Sequence, residues 1–511
     1  MYKVRVLQEI NDRLDAEYYN PAALSTLKKM ETKGTVTTFG DLVDEGYRVV
    51  YHGTDSINGL KDSEVLPFLS PTQIDANGSI NFEDADKLPL YYKDQYPKGL
   101  GKAGEILVEV KGNVSKVGIV PSAFPKNLMI SGSLYKATLN PRRVDSHYVL
   151  AFLKSKHGQI LKNRLTSNTI INYIAKDALY SIPVIELKEK AQKYIGDKVR
   201  QAEQLRTWAK SCREKIQYYF NDLFSGISLD KPKHLHTRVS LDILVPRLNA
   251  EFYSDYYMQV EKGLIDRFGK LTTLGRLAPT IRTKTKPSTD CVYKEIGDLD
   301  AGKGAFDSGT FHKFGEAPNN AQRIFDEGDV AVSTRRPNRG AIAVIEESSS
   351  TTFYSVFLAR LKPKDRNFGY WLKEFLRHDA GKLLLLQRCT WTTYPVISED
   401  DIESIPVPEI PDHWDFIARL SRKSVKLEAV ATDLITTTKI LVETLIEGQL
   451  TEQQLIEAQQ ALEDGDNSLD QAILSKLSAE GYAIEGATPL FSDVDELYSL
   501  LEEAAQAEAE E

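Results

Sequence analysis

Two short cation-rich segments carry the residue types that contact nucleic acid. One runs Lys111-Gly-Asn-Val-Ser-Lys116 and the other runs Arg335-Arg-Pro-Asn-Arg339. Lysine and arginine bind phosphate oxygens, and arginine, lysine and asparagine also reach base edges in the major groove. Short apolar runs flank each segment, so we expect a turn that joins two strands. The alternative is a solvated hairpin tip, because basic turns are common. The candidate side chains are Lys111, Asn113, Lys116, Arg335, Arg336 and Arg339.

Further candidates come from segments with a similar mix of side chains. Lys162-Asn-Arg-Leu-Thr-Ser-Asn168 corresponds to Leu385-Leu-Gln-Arg-Cys-Thr-Trp391, and both combine arginine with side chains that can hydrogen-bond bases or stack. Trp391 could equally be a core residue. A third cationic loop contains Arg282, Lys284 and Lys286, although solvated lysines are the more ordinary interpretation of the last two. These segments add Arg164, Asn168, Arg282, Lys284, Arg388 and Trp391 to the candidates.

The sequence offers one catalytic alternative. Glu109-Val-Lys111 at a strand end has the Glu-x-Lys spacing of Mg²⁺-dependent nucleases, and Asp84, Asp86 and Asp94 lie upstream. The matching stretch, Ser333-Thr-Arg335, contains no carboxylate. The chain has neither GxxxxGK[ST] nor HExxH, and no Asn/Asp-Pro-Pro-Tyr/Phe. His234-Leu-His236 is typical of a surface linker rather than a metal site. We therefore expect no catalytic centre, metal or cofactor in this chain.

Most of these segments belong to a long internal repeat. Four motifs recur in the same order, and they are separated by 234, 235, 224 and 223 residues. Loop insertions after a tandem duplication change the separation of the copies slightly and keep the order of the motifs. The repeated pairs are Arg13-Leu-Asp-Ala-Glu-Tyr-Tyr19 with Arg247-Leu-Asn-Ala-Glu-Phe-Tyr253, Val36-Thr-Thr-Phe-Gly40 with Leu271-Thr-Thr-Leu-Gly275, Gly104-Glu-Ile-Leu-Val108 with Gly328-Asp-Val-Ala-Val332, and Lys176-Asp-Ala-Leu-Tyr-Ser-Ile-Pro183 with Glu399-Asp-Asp-Ile-Glu-Ser-Ile-Pro406. The aromatic pairs of the first motif are predicted to be structural.

The duplication predicts two mixed α/β heads, each followed by a long helix. Strands are expected at Glu105–Val110, Lys116–Val120, Asp329–Ser333 and Ala341–Ile345, and helices at Ser146–Lys156 and Phe368–His378. Apolar positions in 186–224 and 413–447 recur with the coiled-coil spacing. Their similar lengths predict that the two helices pair, and the duplication favours an antiparallel arrangement. Alternatively, each long helix covers only its own head. The predicted domains are head one at 1–185, a helix at 186–226, a linker at 227–239, head two at 240–410, a helix at 411–448 and an extension at 449–511.

Charge is distributed unevenly. The extension from 449 to 511 has 16 acidic residues and one basic residue, whereas residues 1–448 carry a net charge of +6. A mildly basic body can approach a polyanion, but the extension cannot. Capping-box spacing at Thr451 and short amphipathic patterns predict a small helical appendage. We expect it to dock on a partner subunit or to shield a DNA channel.

Composition limits the cellular setting. The 511 residues include three widely spaced cysteines, no apolar run of transmembrane length and a charged N-terminus without a signal-peptide pattern. These features favour a cytoplasmic protein without a membrane partner.

The duplicated organisation resembles the specificity subunit of type I restriction–modification systems, across about residues 1–448. The repeated Arg-Leu-Asp/Asn-Ala-Glu openings, Gly-Glu/Asp strand motifs and Ile-Pro closings followed by long helices carry this resemblance. It implies an α+β fold with two target-recognition domains separated by two long antiparallel coiled-coil-like helices. The acidic extension is outside that pattern.

The resemblance also implies a function and partners. The chain would bind an interrupted, two-part target in double-stranded DNA without being an enzyme itself. Two adenine methyltransferase subunits would bind it and supply S-adenosylmethionine, and a restriction and translocase subunit could join them. The alternatives are a two-headed protein adaptor without a DNA role, and the endonuclease that would use Glu109 and Lys111.

Overall fold

The computed structural model describes residues 16–510, with gaps at 52, 84, 168–171, 231–237, 241–243, 245–246 and 248. Asn168, His234, His236 and Asp84 therefore lie outside the described residues. The chain forms two compact units. Unit 1 comprises 1–206 and 429–511, and unit 2 comprises 207–428. The boundaries pass through both long helices, so the predicted domain limits stay predictions.

Head one, in unit 1, mixes short strands with short helices. Its strands are β1 Thr35–Thr38, β2 Val43–Tyr47, β3 Val65–Leu69, β4 Asp86–Pro89, β5 Ile106–Glu109, β6 Lys111–Gly112, β7 Val117–Ile119, β8 Met129–Ile130, β9 Leu134–Leu139, β10 Asn172–Tyr173 and β11 Pro183–Glu186. Its helices are α1 Pro21–Lys33, α2 Phe39–Leu42, α3 Tyr92–Gln95, α4 Ser146–Lys154, α5 Lys156–Asn163 and α6 Lys176–Tyr180. The long helix α7 follows at Glu189–Leu223.

Two larger sheets and two strand pairs, β1-β11 and β6-β10, build head one. Strands β2-β9-β5-β7 form an antiparallel sheet, and β4-β3-β8 form a second sheet in which β3 and β8 are parallel. Every residue of β5 is buried, because both faces of the central sheet are covered. Leu107 belongs to a core with Leu69, Ile74 and Ile130, and α4 packs on β7. The predicted strands at 105–110 and 116–120 are therefore present.

Head two, in unit 2, repeats this plan with longer helices. Its strands are β12 Thr272–Thr273, β13 Cys291–Lys294, β14 Leu299–Asp300, β15 Ala305–Phe306, β16 Thr310–His312, β17 Ala321–Arg323, β18 Val330–Ser333, β19 Ile342–Val344, β20 Thr352–Ser355, β21 Leu358–Leu361, β22 Thr390–Trp391, β23 Pro395–Val396 and β24 Pro406–Val407. Its helices are α8 Asp255–Phe268, α9 Leu274–Leu277, α10 Arg366–Arg377, α11 Asp379–Gln387 and α12 Glu399–Glu403. The larger sheets are β19-β18-β21 and β16-β13-β20-β17, and the strand pairs are β12-β24, β14-β15 and β22-β23.

The repeated motifs are hydrogen-bonded to one another within each head. In head one, β1 pairs antiparallel with β11, and the Phe39 N–H donates to the Ile182 carbonyl at 2.7 Å. In head two, β12 pairs with β24, and the Leu274 N–H donates to the Ile405 carbonyl at 2.8 Å. Glycine follows each of these strands because a Cβ on Gly40 would lie 2.9 Å from the Tyr180 Cβ, and one on Gly275 would lie 2.8 Å from the Glu403 Cβ. The Thr-Thr and Ile-Pro motifs thus close each head on itself.

The second long helix, α13, spans Trp414–Glu447. In unit 2 it runs antiparallel to α7, because Arg213 pairs with Glu428 at 3.0 Å while Tyr219, further along α7, contacts His413. The predicted seam is largely buried, from Ile195 through Ala202 to Ile216 on α7. Gly448, with φ of 79°, ends α13 as its position predicted.

The extension folds as the predicted helical appendage, within unit 1. It contains α14 Glu452–Glu463, α15 Ser468–Leu474, β25 Leu477–Ser478, β26 Gly481–Tyr482 and α16 Val494–Glu510. Thr451 and Gln454 form the predicted capping box. The appendage docks on α7, where Asp470, fully buried, accepts hydrogen bonds from Lys198 and Tyr194 at 2.5 Å each. Among the described residues, no helix is both long and apolar enough to cross a membrane.

Candidate nucleic-acid interface

The central strand of each head leads directly into its cation-rich turn. In head one the turn joins β5 to β7, and in head two it joins β18 to β19. A second segment fixes each turn from the side. The strand β6, at Lys111, pairs with β10, and Arg335 forms an isolated bridge with Val396 of β23. The two predicted turns therefore occupy corresponding places in the two heads.

A buried carboxylate shapes the turn in head one. Glu109 is 5% exposed, and its oxygens accept N–H groups from Asn113 at 3.1 Å, Ser115 at 2.9 Å and Lys116 at 3.1 Å. The turn contains Val114 at a φ of 56°, which is costly for a β-branched residue. The three amide bonds offset that cost, because charge-assisted hydrogen bonds are strong.

This geometry argues against the endonuclease alternative. A metal-binding glutamate needs oxygen lone pairs that face an open site, whereas both Glu109 oxygens bind the backbone of the turn that follows them. Lys111 begins that turn, and its side chain is exposed. Glu109 is therefore a structural residue.

The head-one turn presents polar side chains to solvent. Lys111 and Asn113 are exposed, and Lys116 is half-buried. Beside them, the Arg48 guanidinium lies 5.4 Å from the centre of the Tyr173 ring and donates to the Gly132 carbonyl at 2.6 Å. Since Tyr173 is the strand partner of Lys111, an arginine, a lysine and an aromatic ring share this surface.

The head-two turn is held by a serine where head one has Glu109. The Ser333 hydroxyl donates to the Arg335 carbonyl at 2.7 Å. Arg336 is left-handed, with φ of 50°, and its N–H donates to the Pro395 carbonyl at 2.8 Å. Arg336 and Arg339 are exposed, while Arg335 is half-buried over the Phe357 ring at 4.6 Å.

An aromatic hairpin flanks the head-two turn. Strands β22 and β23 pair, and Trp391 in β22 is 47% exposed, which excludes the core alternative for this residue. The Arg336 guanidinium lies 5.3 Å from the Tyr394 ring centre in the same hairpin. An exposed arginine beside exposed aromatic surface can bind phosphate and stack on a base.

Two arginines that were predicted to contact DNA are buried in the structure, so that prediction is wrong for both. Arg388 is 4% exposed, and its guanidinium donates to Gln387 Oε1 at 2.7 Å and to Ser404 Oγ at 3.1 Å. Burial lowers its pKa to about 10. Arg164 is 9% exposed and lies 4.7 Å from the Tyr18 ring centre. Both arginines pack inside their heads, so they are unsuited to contacting DNA.

The third cationic loop is only partly available. Arg282 is exposed, but its guanidinium pairs with Asp400 and, at 3.5 Å, with Glu399. These carboxylates hold the pKa of Arg282 above its usual value. Lys284 and Lys286 are exposed. Arg282 thus ties its loop to α12.

Sequence reasoning missed two of the aromatic residues. Tyr173 and Tyr394 each lie next to an arginine, Arg48 and Arg336 respectively. Both tyrosines precede the closing helix of their head by a few residues, and that shared position was the available signal. The aromatic pair of the opening motif is structural as predicted, since Tyr253 is 3% exposed.

No protein-family model matches the sequence, and no curated protein matches it.

Solved structures align with most of the chain. The S subunit of the type I restriction–modification system from M. genitalium is 16% identical, with a TM-score of 0.37 over 83% of this chain and 95% of that one. A chain from a structure of complex assembly and conformational transition in the type I system is 14% identical, with a TM-score of 0.28 over 84% and 97%. The HsdS subunit from Thermoanaerobacter tengcongensis is 14% identical, with a TM-score of 0.27 over 81% and 97%.

Identities and TM-scores this low assign no role to any residue, so the roles above rest on this chain's own geometry. The solved structures that align with most of the chain are specificity subunits of type I restriction–modification systems, the family that the repeated motifs resemble.

Proposed function

We propose that this chain is the DNA-specificity subunit of a type I-like restriction–modification or related phage-defence complex. One observation carries the proposal. Each head holds an exposed cationic turn on the same hydrogen-bonded framework, with an arginine beside an aromatic ring. Phosphate contacts position a protein on DNA, and side chains reaching base edges supply the sequence preference. Two related heads with different turn residues suit an asymmetric target in two parts.

The partners follow from the same proposal. The chain acts in the cytoplasm without catalysis of its own and positions two adenine-N6 methyltransferase subunits, which bring S-adenosylmethionine. A motor and nuclease subunit could join the complex. The lengths of α7 and α13 set the gap between the half-sites. The refined contact set is Lys111, Asn113, Lys116, Arg335, Arg336, Arg339, Trp391 and Lys284.

The decisive experiment maps N6-methyladenine across the genome of the host, with and without this gene. We expect a two-part motif with a fixed gap to disappear with the gene. Complementation with Arg336→Ala/Arg339→Ala should relax one half of the motif and keep the other, because both arginines belong to head two. Lys313→Ala, an exposed lysine in the same head, is the matched control.

Two results would contradict the proposal. Equal loss of both half-sites in the arginine variant would refute modular recognition by the heads. A purified chain whose DNA binding is absent, or is independent of salt, would favour the protein adaptor, since phosphate contacts release counterions.

A further inference from the structure

Four lysine side chains of unit 1 converge behind the head-one turn. Lys116 ends the turn, Lys154 ends α4, Lys162 lies in α5 and Lys439 lies in α13. The Lys162 ammonium donates to the Val114 carbonyl in the turn. The Lys439 ammonium donates to Asn77 Oδ1 at 3.1 Å.

The loop at 75–79 joins these groups into one cluster. A Cβ on Gly78 would lie 2.9 Å from the Val117 carbonyl oxygen and 3.4 Å from Leu150 of α4. The loop that contacts Lys439 therefore also packs against the residue after Lys116 and against the helix that ends at Lys154. The loop thus links Lys439 to the segments that carry Lys116 and Lys154, and the Val114 carbonyl links Lys162 to the same turn.

The carboxylates in this region leave the cluster without ion pairs. Asp75 accepts the N–H groups of Asn77 and Ser79 at 2.7 and 2.9 Å. Glu443 accepts the Lys156 N–H at 2.6 Å, and Glu109 binds the turn. Within the described part of the chain, none of the four ammonium groups forms a salt bridge, and the lysines outnumber these carboxylates.

Bringing these ammonium groups together is unfavourable. Burial lowers the pKa of Lys154 to about 8; Asp75 opposes this shift, while Lys439 and Lys116 add to it. Burial likewise lowers the pKa of Lys162 to about 8, with Lys154 contributing. Like charges in a partly dry site repel strongly, and a bound anion would relieve that repulsion.

At the corresponding place in head two, the cationic side chain has hydrogen-bond and ion-pair partners. Arg377 ends α10 as Lys154 ends α4, and each precedes the residue that caps the next helix. The Arg377 guanidinium donates to the Ala301 carbonyl at 2.7 Å and to the Gly302 carbonyl at 2.6 Å. It also pairs with Glu374 at 3.1 Å. In contrast, the Lys154 ammonium has no hydrogen-bond partner among the described residues.

We propose that Lys116, Lys154 and Lys439 bind a phosphate group in unit 1, and that the buried ammonium of Lys162 adds positive charge to this site. Ammonium groups from separate elements suit a tetrahedral oxyanion, which accepts hydrogen bonds in several directions. The phosphate is either a free anion or a backbone phosphate of DNA. Only the second source rests on the proposed function.

Calorimetric titration of the full chain with inorganic phosphate tests the site directly. We expect saturable binding by the wild type. Lys154→Met and Lys439→Met should each lower the affinity for phosphate by at least about tenfold. Lys126→Met, an exposed lysine of head one, should bind like the wild type. Asp75→Asn should bind more tightly, because a competing carboxylate is removed while an acceptor oxygen remains for the loop amides.

Sulfate provides a second readout, because its charge is constant near neutral pH. The ionisable groups around the site are Lys116, Lys154, Lys162, Lys439, Asp75, Glu109 and Glu443. Since Lys154 and Lys162 lose protons near pH 8, sulfate binding should weaken between about pH 7 and about pH 9. Equal affinity at both values in the folded wild type would count against the site.

Titration with duplex DNA distinguishes a free anion from a DNA backbone phosphate. If a DNA phosphate occupies the site, Lys154→Met should reduce the salt slope of duplex binding by about 1 unit, and phosphate should compete with DNA. Phosphate binding without such competition identifies a free anion. Binding of phosphate but not of DNA by the wild type would refute the proposed function and would still support the phosphate site. Two results would overturn the site itself. One is equal phosphate binding by Lys154→Met and the wild type. The other is no phosphate binding by either protein, together with a salt slope of duplex binding that Lys154→Met leaves unchanged.

Discussion

At the scale of single residues, the two cation-rich turns occupy corresponding places in the heads but differ in the side chain that holds them. Glu109 binds three backbone amides with a buried carboxylate, whereas Ser333 uses one hydroxyl. The head-one turn also contains Val114 in a left-handed conformation that its side chain disfavours. The exposed lysine and asparagine of that turn are therefore positioned by a residue that itself stays inside.

Glu109→Ala should destabilise the chain by about 2–4 kcal/mol, because three amides and a strained turn lose a charged acceptor. Glu109→Gln, which keeps one acceptor oxygen, should lie between Glu109→Ala and the wild type. Denaturant unfolding measures both variants, and Glu83→Ala, an exposed glutamate of the same head, is the control.

A Glu109→Ala chain as stable as the control would contradict the structural role. Mg²⁺-dependent DNA cleavage by the wild type that Glu109→Ala abolishes would restore the endonuclease alternative.

The sequence predicted the two turns well and the buried arginines badly. Residue type and flanking strands suffice to find Lys111 or Arg336, since an exposed turn needs no tertiary partner. Arg164 and Arg388 have the same side chain but stack on Tyr18 and Phe252 of the opening motif. Composition does not distinguish an exposed arginine from a buried one, and only the recurrence of both partners in the repeat hinted at the packing.

At the scale of elements, the repeated motifs mark where each head opens and closes. β1 pairs with β11 and β12 with β24, so motifs far apart in sequence are neighbours in space. Strands with continuous apolar runs, such as β5 and β18, were predicted within a residue of their observed ends. The second sheet of each head was not predicted, because strands such as β16 have little buried surface and no alternating pattern.

The helix after the central sheet shows a specific limit of periodicity. The pattern predicted one helix from Ser146 to Lys156, yet the structure ends α4 at Lys154 and starts α5 with Ser155 as its cap. Gly158 fits this break, because a Cβ there would lie 2.0 Å from the Phe152 carbonyl oxygen. Gly381 has the same contact in head two, at 2.1 Å from Phe375.

The long helices carry a prediction at this scale. Inserting seven residues after Arg206 of α7 and seven after Glu428 of α13 preserves the heptad phase of both helices. We expect the methylated motif to keep both half-sites and change only its gap, or binding to be lost altogether. Methylome sequencing reads the motif, and a four-residue insertion, which breaks the phase, is the control. A motif whose half-sites change with the gap intact would refute the spacer role.

At the scale of the whole molecule, the appendage is part of unit 1 rather than a free acidic tail. Lys190 and Lys193 of α7 pair with Glu463 at 3.1 and 3.3 Å. A hydrogen bond from Gln459, together with these two lysines, lowers the pKa of Glu463 to about 2. Asp470 is fully buried among Lys198, Tyr194 and Tyr498. Much of the appendage's acidic charge is exposed, but its attachment uses specific partners.

Asp470→Ala should release the appendage, because it leaves the Lys198 ammonium buried without a counter-ion at a cost of about 3–5 kcal/mol. Limited proteolysis should then cut within 449–511 much faster than in the wild type. Replacing both partners, Lys198→Met with Asp470→Leu, should recover part of the protection. Glu485→Gln, at an exposed position, is the control. Unchanged cleavage in Asp470→Ala would show that the apolar contacts alone hold the appendage.

Unit 2 is one continuous stretch of chain, whereas unit 1 is completed by residues from both sides of it. During synthesis, head one can close on β11 early, and unit 2 can fold next, since domains fold as units while the chain emerges. The α7 lysines and Tyr194 stay without these carboxylates until the residues after unit 2 have been synthesised. A chain cut before residue 449 would therefore expose that face of α7, so burial of this face depends on residues that are synthesised after unit 2.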